Sequence, residues 1–392
     1  MKNDIKRIAI MTGGGDCPGL NAVIRAVTRK AIIENHWEVI GVRNGYKGLY
    51  YGNFVDLDLY NTSGILQEGG TILFSSNKDN LFEYQVEENG VMVTKDVSDV
   101  AVENLKKAGV DVLFVVGGDG TLASALEFSR KGVQIIAIPK TIDNDLASTD
   151  ATFGFSTAVD VATEALDRLH TTAASHHRIM VLEVMGRYAG WIALYAGIAG
   201  GADAILIPEI PYDINYVAAK INRRKEIGKD FSVIVVAEGA KSKDGEMVIQ
   251  SIVEGSPDPI RLGGIGNKVA MELQELCGNE SRATILGHLQ RGGSPSSTDR
   301  ILSSRYGIAA VELAEQGLFG NMVTLKGTEM SYDSLEHVIG QVTKNVEPDS
   351  EMVKTAKSLG IVFGDEAVDV YKVLGDLKAP DHFKATDHFK KA

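Results

Sequence analysis

Residues 112–121 read VLFVVGGDGT. Five apolar residues in a row run into Gly117, Gly118, Asp119, Gly120 and Thr121. An unbroken apolar run, as opposed to an alternating one, suits a strand covered on both faces, as in a parallel sheet. The glycines end the strand and let backbone approach a ligand closely. Thr121 opens a helix. The same grammar recurs on either side. Ile8–Met11 runs into Gly13, Gly14 and Gly15, and Gln134–Ile138 runs into Pro139. Ile179–Val184 runs into Gly186, and Ser232–Ala237 into Glu238 and Gly239. Helical patterns cover 21–34, 101–108, 121–130, 157–172 and 188–199. Strands alternating with helices predict βαβ units and a mainly parallel sheet. Ligands in such folds sit beyond the carboxyl ends of the strands, where these glycine and aspartate motifs fall.

A chain of 392 residues exceeds one ordinary core and implies two domains. With 42 glycines against 9 prolines it reads as turn-rich and folded. A net charge of −12 argues against nucleic-acid partners, which need a field of Lys and Arg. It does not exclude anionic substrates, because a few converging arginines make a local positive site. Cys17 and Cys277 allow one disulfide at most and fit a reducing, cytoplasmic compartment. Residues 1–10 read as the first strand, not a signal peptide. The longest apolar region, 191–208, is broken by Gly197, Gly200, Gly201 and Asp203, so no membrane span is expected. Eight histidines without HExxH, and cysteines without CxxC, give no zinc pattern. The segment APDHFKATDHFKKA (379–392) carries DHFK twice and reads as a polar extension.

Four motifs carry chemistry. TGGGDCPGLN (12–21) links a strand to a helix whose free N–H groups attract anions. It is either a phosphate cradle or a tight turn, and it is no P-loop, since GxxxxGK[ST] occurs nowhere. In GGDG (117–120) the glycines clear space for phosphate. Asp119 would repel phosphate, so it either carries Mg²⁺ that bridges phosphate oxygens or caps the helix. PKTIDND (139–145) places Asp143 and Asp145 two residues apart, on one side of an extended segment. One takes a proton from an attacking hydroxyl while the other holds position or metal; the alternative is a solvated Asx turn. MGR (185–187), with Arg178 upstream, and RATILGHLQRGG (282–293), with Arg282, His288 and Arg291, offer forks for phosphate oxygens. His176 and His177 read as helix-end residues.

Taken in order, GGGDCPGLN (13–21), NGYKGLY (44–50), GGT (69–71), GGDGT (117–121), PKTIDND (139–145), RIMVLEVMGRYAG (178–190), AEG (237–239) and RATILGHLQRGGSP (282–295) resemble the phosphofructokinase family. PKTIDND with EVMGRYAG is distinctive; GGDGT is shared with NAD kinases and lipid kinases. The resemblance implies an α/β fold of two three-layer α/β/α lobes with mainly parallel sheets and the active site in the cleft between them. It implies a donor lobe of 1–154 with 290–340, a sugar-phosphate lobe of 155–289 with 341–365, and a C-terminal extension of 366–392. Asp143 looks like the base for the 1-hydroxyl of fructose 6-phosphate, with Thr141, Asp145 and Arg187 beside it in catalysis. Asp119 and Asp145 look like the Mg²⁺ carboxylates. Gly14, Tyr46, Gly118, Asp119, Gly120, Thr121 and Lys140 would line the donor site. Met185, Gly186, Arg187 and Glu238 would hold the sugar, and Arg178, Arg282, His288 and Arg291 its 6-phosphate. In many members the residues matching Arg178 and Arg282 reach in from a neighbouring subunit. That implies a homo-oligomer, a tetramer with a dimer as the alternative.

One position departs from the family pattern. An arginine commonly follows GGT, and here its place falls on Asn77, with Lys78 next. Lys78 substitutes, or another arginine does, or activity is altered. Two positions bear on the phosphoryl donor. Gly120 leaves room for the ATP α-phosphate, where pyrophosphate users carry Asp. Lys140 is typical of pyrophosphate users. A clash excludes ATP whereas a flexible lysine moves, so Gly120 decides for ATP, with pyrophosphate as the alternative. A non-catalytic regulatory subunit has only Asn77 in its support. NAD kinase leaves PKTIDND and MGR unexplained.

Overall fold

The computed structural model describes residues 5–77, 79–88, 90–245, 247–252 and 260–366, with backbone alone at 88, 249–252, 260 and 261. Lys78 and all but Glu366 of the extension expected over 366–392 lie outside the described residues. The chain divides into two compact units. Among the described residues, the first takes 5–158 with Arg291–Lys344, and the second takes 159–252, 260–290 and 345–366.

Strands run in chain order β1 (Arg7–Thr12), β2 (Glu38–Val42), β3 (Phe54–Leu57), β4 (Tyr84–Glu88), β5 (Val91–Lys95), β6 (Val112–Gly117), β7 (Ile135–Thr141), β8 (Phe153–Gly154), β9 (Ile179–Val184), β10 (Ala204–Leu206), β11 (Ser232–Ala237), β12 (Ile249–Ile252), β13 (Ile260–Leu262), β14 (Ser281–Ile285), β15 (Asn321–Lys326) and β16 (Glu329–Ser334). In the first unit they form one sheet in the order β16-β15-β7-β6-β1-β2-β3, with β8 beside β7. The inner pairs are parallel; β2–β3 and β15–β16 are antiparallel. As its apolar run predicts, β6 is buried along its whole length. Leu113 and Val115 pack with Leu122, Ala125 and Phe128 of helix Asp119–Arg130 on one face. Phe114 points to the opposite face, where helices Leu20–Asn35 and Ser297–Glu315 pack together against β2 and β7. Full burial of a side chain such as Phe114 contributes roughly 1.5–3 kcal/mol. Because β1 lies between β2 and β6, the chain leaves it toward one side and returns on the other. A crevice therefore opens beyond the carboxyl ends of β1 and β6.

The second unit holds a fully parallel sheet in the order β10-β11-β9-β14. Val181, Ile234 and Val236 pack against Val217 and Ile221 of helix Ile214–Glu226 and Val269 and Leu273 of helix Ile265–Cys277. Ile205 points to the other face and meets helix Trp191–Ala199 at Gly197. The chain is thus α/β with mainly parallel sheets and helices on both faces. Among the described residues no helix is long and apolar enough to cross a membrane.

Two loops at the carboxyl ends of β9 and β11 are bound back to back. The Glu238 amide donates to the Val184 carbonyl at 2.9 Å, and the Gly239 amide donates to the Gly186 carbonyl at 3.1 Å. A Cβ on Gly239 would stand 1.9 Å from the Arg187 carbonyl oxygen, so only glycine fits. Gly239→Ala is expected to cost about 1–3 kcal/mol by forcing two backbones apart. Scanning calorimetry reads this as a lower Tm, and an unchanged Tm would show that the loops yield freely.

Candidate active site

The first unit carries a cleft of about 1070 Å³ at the carboxyl ends of β1, β6 and β7. Its wall holds Gly14, Tyr46, Gly118, Asp119, Gly120, Thr121, Lys140, Thr141, Asp143 and Arg291, ten of the residues singled out from sequence. The glycines divide by purpose. A Cβ on Gly13 would stand 2.6 Å from Thr121 Cγ2, and one on Gly117 would stand 2.3 Å from Thr121 Cβ. These two make room for Thr121. Gly117 therefore does not clear space for phosphate, as its motif suggested. A Cβ on Gly120 meets nothing within 4 Å, so the space there belongs to the cleft. Tyr46 is buried, donates its hydroxyl to the Thr121 carbonyl at 2.6 Å and stacks on Phe128 at 5.6 Å. It floors the cleft under the start of the helix.

The GGT segment is sewn to the first glycine loop. Thr12 Oγ1 donates to the Phe74 carbonyl at 2.8 Å, and the Gly14 amide donates to the Ser76 carbonyl at 3.0 Å. Ser75 Oγ donates to the Gly14 carbonyl at 2.6 Å. Phe74 itself is held at φ 58°, a conformation costing a bulky residue about 1–3 kcal/mol. These bonds carry Asn77 onto the cleft wall.

Gly118, not Asp119, is the N-cap of helix Asp119–Arg130, so the capping role drops away. Partial burial, and then the Asp145 charge, push the Asp119 carboxyl up to about 6. Burial also raises Asp145, opposed among charged groups by Lys140 and Lys344. The Asp145 charge disfavours an ionised Asp119. Carboxylate oxygens are the donors a hard cation such as Mg²⁺ takes. Phosphate oxygens and water would fill its remaining positions, since among the described residues no cluster of three or more His, Cys, Asp or Glu side chains surrounds them. The segment carrying Asp143 and Asp145 is a turn and not the extended run expected. Asn144 sits in the left-handed region at φ 53°, which Asn tolerates better than most residues. Its Oδ1 accepts from the Thr152 amide at 3.0 Å, and the Asp143 amide donates to Thr141 Oγ1 at 3.0 Å. The Lys344 amide donates to the Asp145 carbonyl at 2.8 Å, closing the turn from behind.

Two cations meet the first glycine loop. Lys140 is buried, donates from Nζ to the Gly15 carbonyl at 2.6 Å, and has its ammonium pKa lowered mainly by burial. Arg291 Nη1 donates to the Asp16 carbonyl at 3.1 Å. Arg130 also reaches the wall but is paired with Glu127 and Glu336. Glu336 and Ile339, more than two hundred residues beyond the GGDG loop, complete that wall. No local motif marks them. Cys17 and Cys277 are buried free thiols.

In the second unit the predicted residues separate into two groups. Met185, Gly186 and Arg187 follow β9, Glu238 follows β11, and His288 lies in the short turn Gly287–Arg291 after β14. Gln290, unmarked in the sequence, binds that turn to the first loop: its Oε1 accepts from the Met185 amide at 3.3 Å and its Nε2 donates to the Gly287 carbonyl at 3.1 Å. Buried Glu183 accepts from the Gly266 amide at 2.8 Å and fixes the end of β9. Arg178 and Arg282 lie at the opposite ends of the same strands, with Arg282 level with Met180 and Arg178 just before Ile179. The six residues of β9 span roughly 20 Å. One copy of this unit therefore cannot bring Arg178 and Arg282 to Met185–Arg187.

Residues 7–314 match the family described as Phosphofructokinase. The chain is 68% identical over 367 residues to ATP-dependent 6-phosphofructokinase 2 of Clostridium perfringens, covering 93% of this chain and 100% of that one. It is 50% identical over 328 residues to a pyrophosphate–fructose 6-phosphate 1-phosphotransferase of Amycolatopsis mediterranei, covering 83% and 92% of the two. Among solved structures, Pichia pastoris phosphofructokinase in the T-state aligns with a TM-score of 0.73 at 31% identity, over 94% of this chain and 38% of that much longer one. Fold, loop chemistry and likeness along nearly the whole sequence agree: the chain belongs to the phosphofructokinase family.

Proposed function

We propose that this chain is an ATP-dependent 6-phosphofructokinase, which transfers the ATP γ-phosphoryl group to the 1-hydroxyl of fructose 6-phosphate and yields fructose 1,6-bisphosphate and ADP. The observation that carries this reading is Asp143, with its turn fixed, in one cleft with the GGDG loop, Lys140 and Arg291. Two buried free thiols fit a reducing, cytoplasmic setting.

Asp143 takes the proton of the 1-hydroxyl as that oxygen attacks. Thr141 holds the turn and faces the transferring group. Gly14, Gly118, Gly120 and Thr121 bound the donor phosphates, with Tyr46 beneath them. Asp119 and Asp145 would hold Mg²⁺, which when bound neutralises charge on the phosphate oxygens. Lys140 and Arg291 give the transferring phosphoryl the positive charge that Asn77 lacks. Met185, Gly186, Arg187 and Glu238 hold the sugar, and His288 faces its 6-phosphate. Arg291, expected at that phosphate from the family resemblance, is assigned instead to the transferring group because it bonds the first glycine loop. Arg178 and Arg282 complete that phosphate site in another copy, which the length of β9 favours. The working form is then a homo-oligomer, by analogy a tetramer. Positioning and charge neutralisation supply most of the catalysis in such transfers.

Pyrophosphate is the second reading, supported by Lys140 and by the Amycolatopsis likeness. The open space at Gly120 and the higher identity to an ATP-named relative favour ATP. Turnover of fructose 6-phosphate with ATP but not with pyrophosphate is expected. Gly120→Asp should fold normally, since its Cβ meets nothing within 4 Å, and lose ATP use. Pyrophosphate turnover by the unaltered chain would instead make Lys140 decisive.

Asp143→Ser should lower kcat by about 10²–10⁴-fold while fructose 6-phosphate binding stays within a few-fold. Unchanged turnover would remove Asp143 as the base. Arg291→Gln should lower kcat by about 10²-fold, and adding Asn77→Arg to it should restore part of the loss. Steady-state kinetics of the single Arg291→Gln and the double variant decides whether Arg291 covers for Asn77; no restoration in the double variant would separate the two positions.

A further inference from the structure

At the amino-terminal end of the four-stranded sheet, one carboxylate serves two arginines. Arg178 Nε donates to Glu280 Oε2 at 2.8 Å, and Arg282 Nη2 donates to Glu280 Oε1. Both backbones are fixed. The Arg178 amide donates to the Ala173 carbonyl at 3.1 Å and its carbonyl accepts from Ser232 at 3.2 Å. Arg282 lies in β14, in register with Met180. Arg282 Nη1 donates to its neighbour Ser281 at 2.9 Å. Among the described residues no hydrogen bond engages the two terminal nitrogens of Arg178 or Nε of Arg282. Each arginine keeps donors to spare, in the planar arrangement that matches phosphate oxygens.

Stability does not explain the arrangement. The three side chains are 29%, 41% and 55% exposed for Arg178, Glu280 and Arg282, and ion pairs so open to water contribute little. Orientation does explain it. A long side chain loses rotamer freedom when it binds, and two arginines ordered beforehand lose less.

We propose that Glu280 is a positioning residue for the sugar-phosphate site: it pins Nε of Arg178 and Nη2 of Arg282 so that their remaining N–H groups stand as one preformed receptor for a phosphate monoester. This rests on the proposed function, which assigns Arg178 and Arg282 to the sugar 6-phosphate. Glu280 touches no substrate. Its negative charge opposes the incoming anion, so removing it has two opposed effects on affinity: lost orientation weakens binding and lost repulsion strengthens it. Two arginines and one carboxylate leave the trio net positive, and orientation outweighs repulsion.

The test is steady-state kinetics of the full-length wild type, Glu280→Ala and Glu280→Gln, with fructose 6-phosphate and ATP varied in turn. Glu280→Ala should raise KM for fructose 6-phosphate about tenfold, from the two arginines it frees. Its kcat should stay within about twofold, with KM for ATP unmoved, since no catalytic contact is touched. Gln, whose single carbonyl oxygen serves one arginine, should fall between. An unchanged or lowered KM in the Ala variant overturns the proposal. So does a loss shared by kcat and both KM values with a lower Tm, which marks a merely structural residue. A wild type without turnover of fructose 6-phosphate by any donor overturns the proposed function together with this inference. An active wild type with an unmoved KM in Glu280→Ala overturns this inference alone.

Discussion

The side chain of Thr121 is wedged where the ends of β1 and β6 come together. It occupies the space that a Cβ on Gly13 or Gly117 would need, at 2.6 Å and 2.3 Å. Neither neighbour can gain a side chain without pushing the helix start away from both strands. Its carbonyl in turn takes the Tyr46 hydroxyl, so the second loop, the first loop and helix Asp119–Arg130 are located by one residue. Asp119 and Gly120 open that helix and inherit the placement. Much of the cleft wall follows from a packing constraint that involves no ligand.

Charge is distributed around that wall with some economy. The chain is acidic overall, at −12, yet Lys140 and Arg291 both bond to carbonyls of the first glycine loop. Lys140 is buried and carries an ammonium that burial disfavours, near Asp145, whose carboxylate burial also disfavours. Opposed desolvation costs of this kind are eased when an anionic ligand and a cation arrive together, which is the situation of a nucleotide bound with its metal. The neutral Asn77 fits a wall that already holds Lys140 and Arg291 beside the first glycine loop.

The second unit shows how a parallel sheet sorts the residues at its two ends. All its strands point one way, so residues that follow them gather at one end and residues that precede them gather at the other. Gln290 ties the first group together through the Met185 amide and the Gly287 carbonyl. Glu280 draws Arg178 and Arg282 together at the far end. No side-chain rearrangement within one copy bridges the length of β9.

The long apolar runs β1, β6, β7, β9 and β11 were legible from sequence, because a strand buried on both faces must be apolar throughout. The glycine, aspartate and arginine motifs were legible as chemistry at the ends of those strands. Short or half-exposed strands such as β10, β14 and β16 were not, since the three apolar residues of β10 are too few to show a period and the five or six of β14 and β16 are of mixed character. The two-residue spacing of Asp143 and Asp145 predicts an extended segment, and a left-handed Asn144 turns it instead. Sequence alone determined which residue types stand at the strand ends, because burial and backbone sterics act locally. Only the tertiary structure decided which glycines serve Thr121 and which face the cleft. It alone also supplied the partners from distant segments, Glu336, Gln290, Lys344 and Glu280. Those contacts join residues far apart in the chain, and no local preference encodes them.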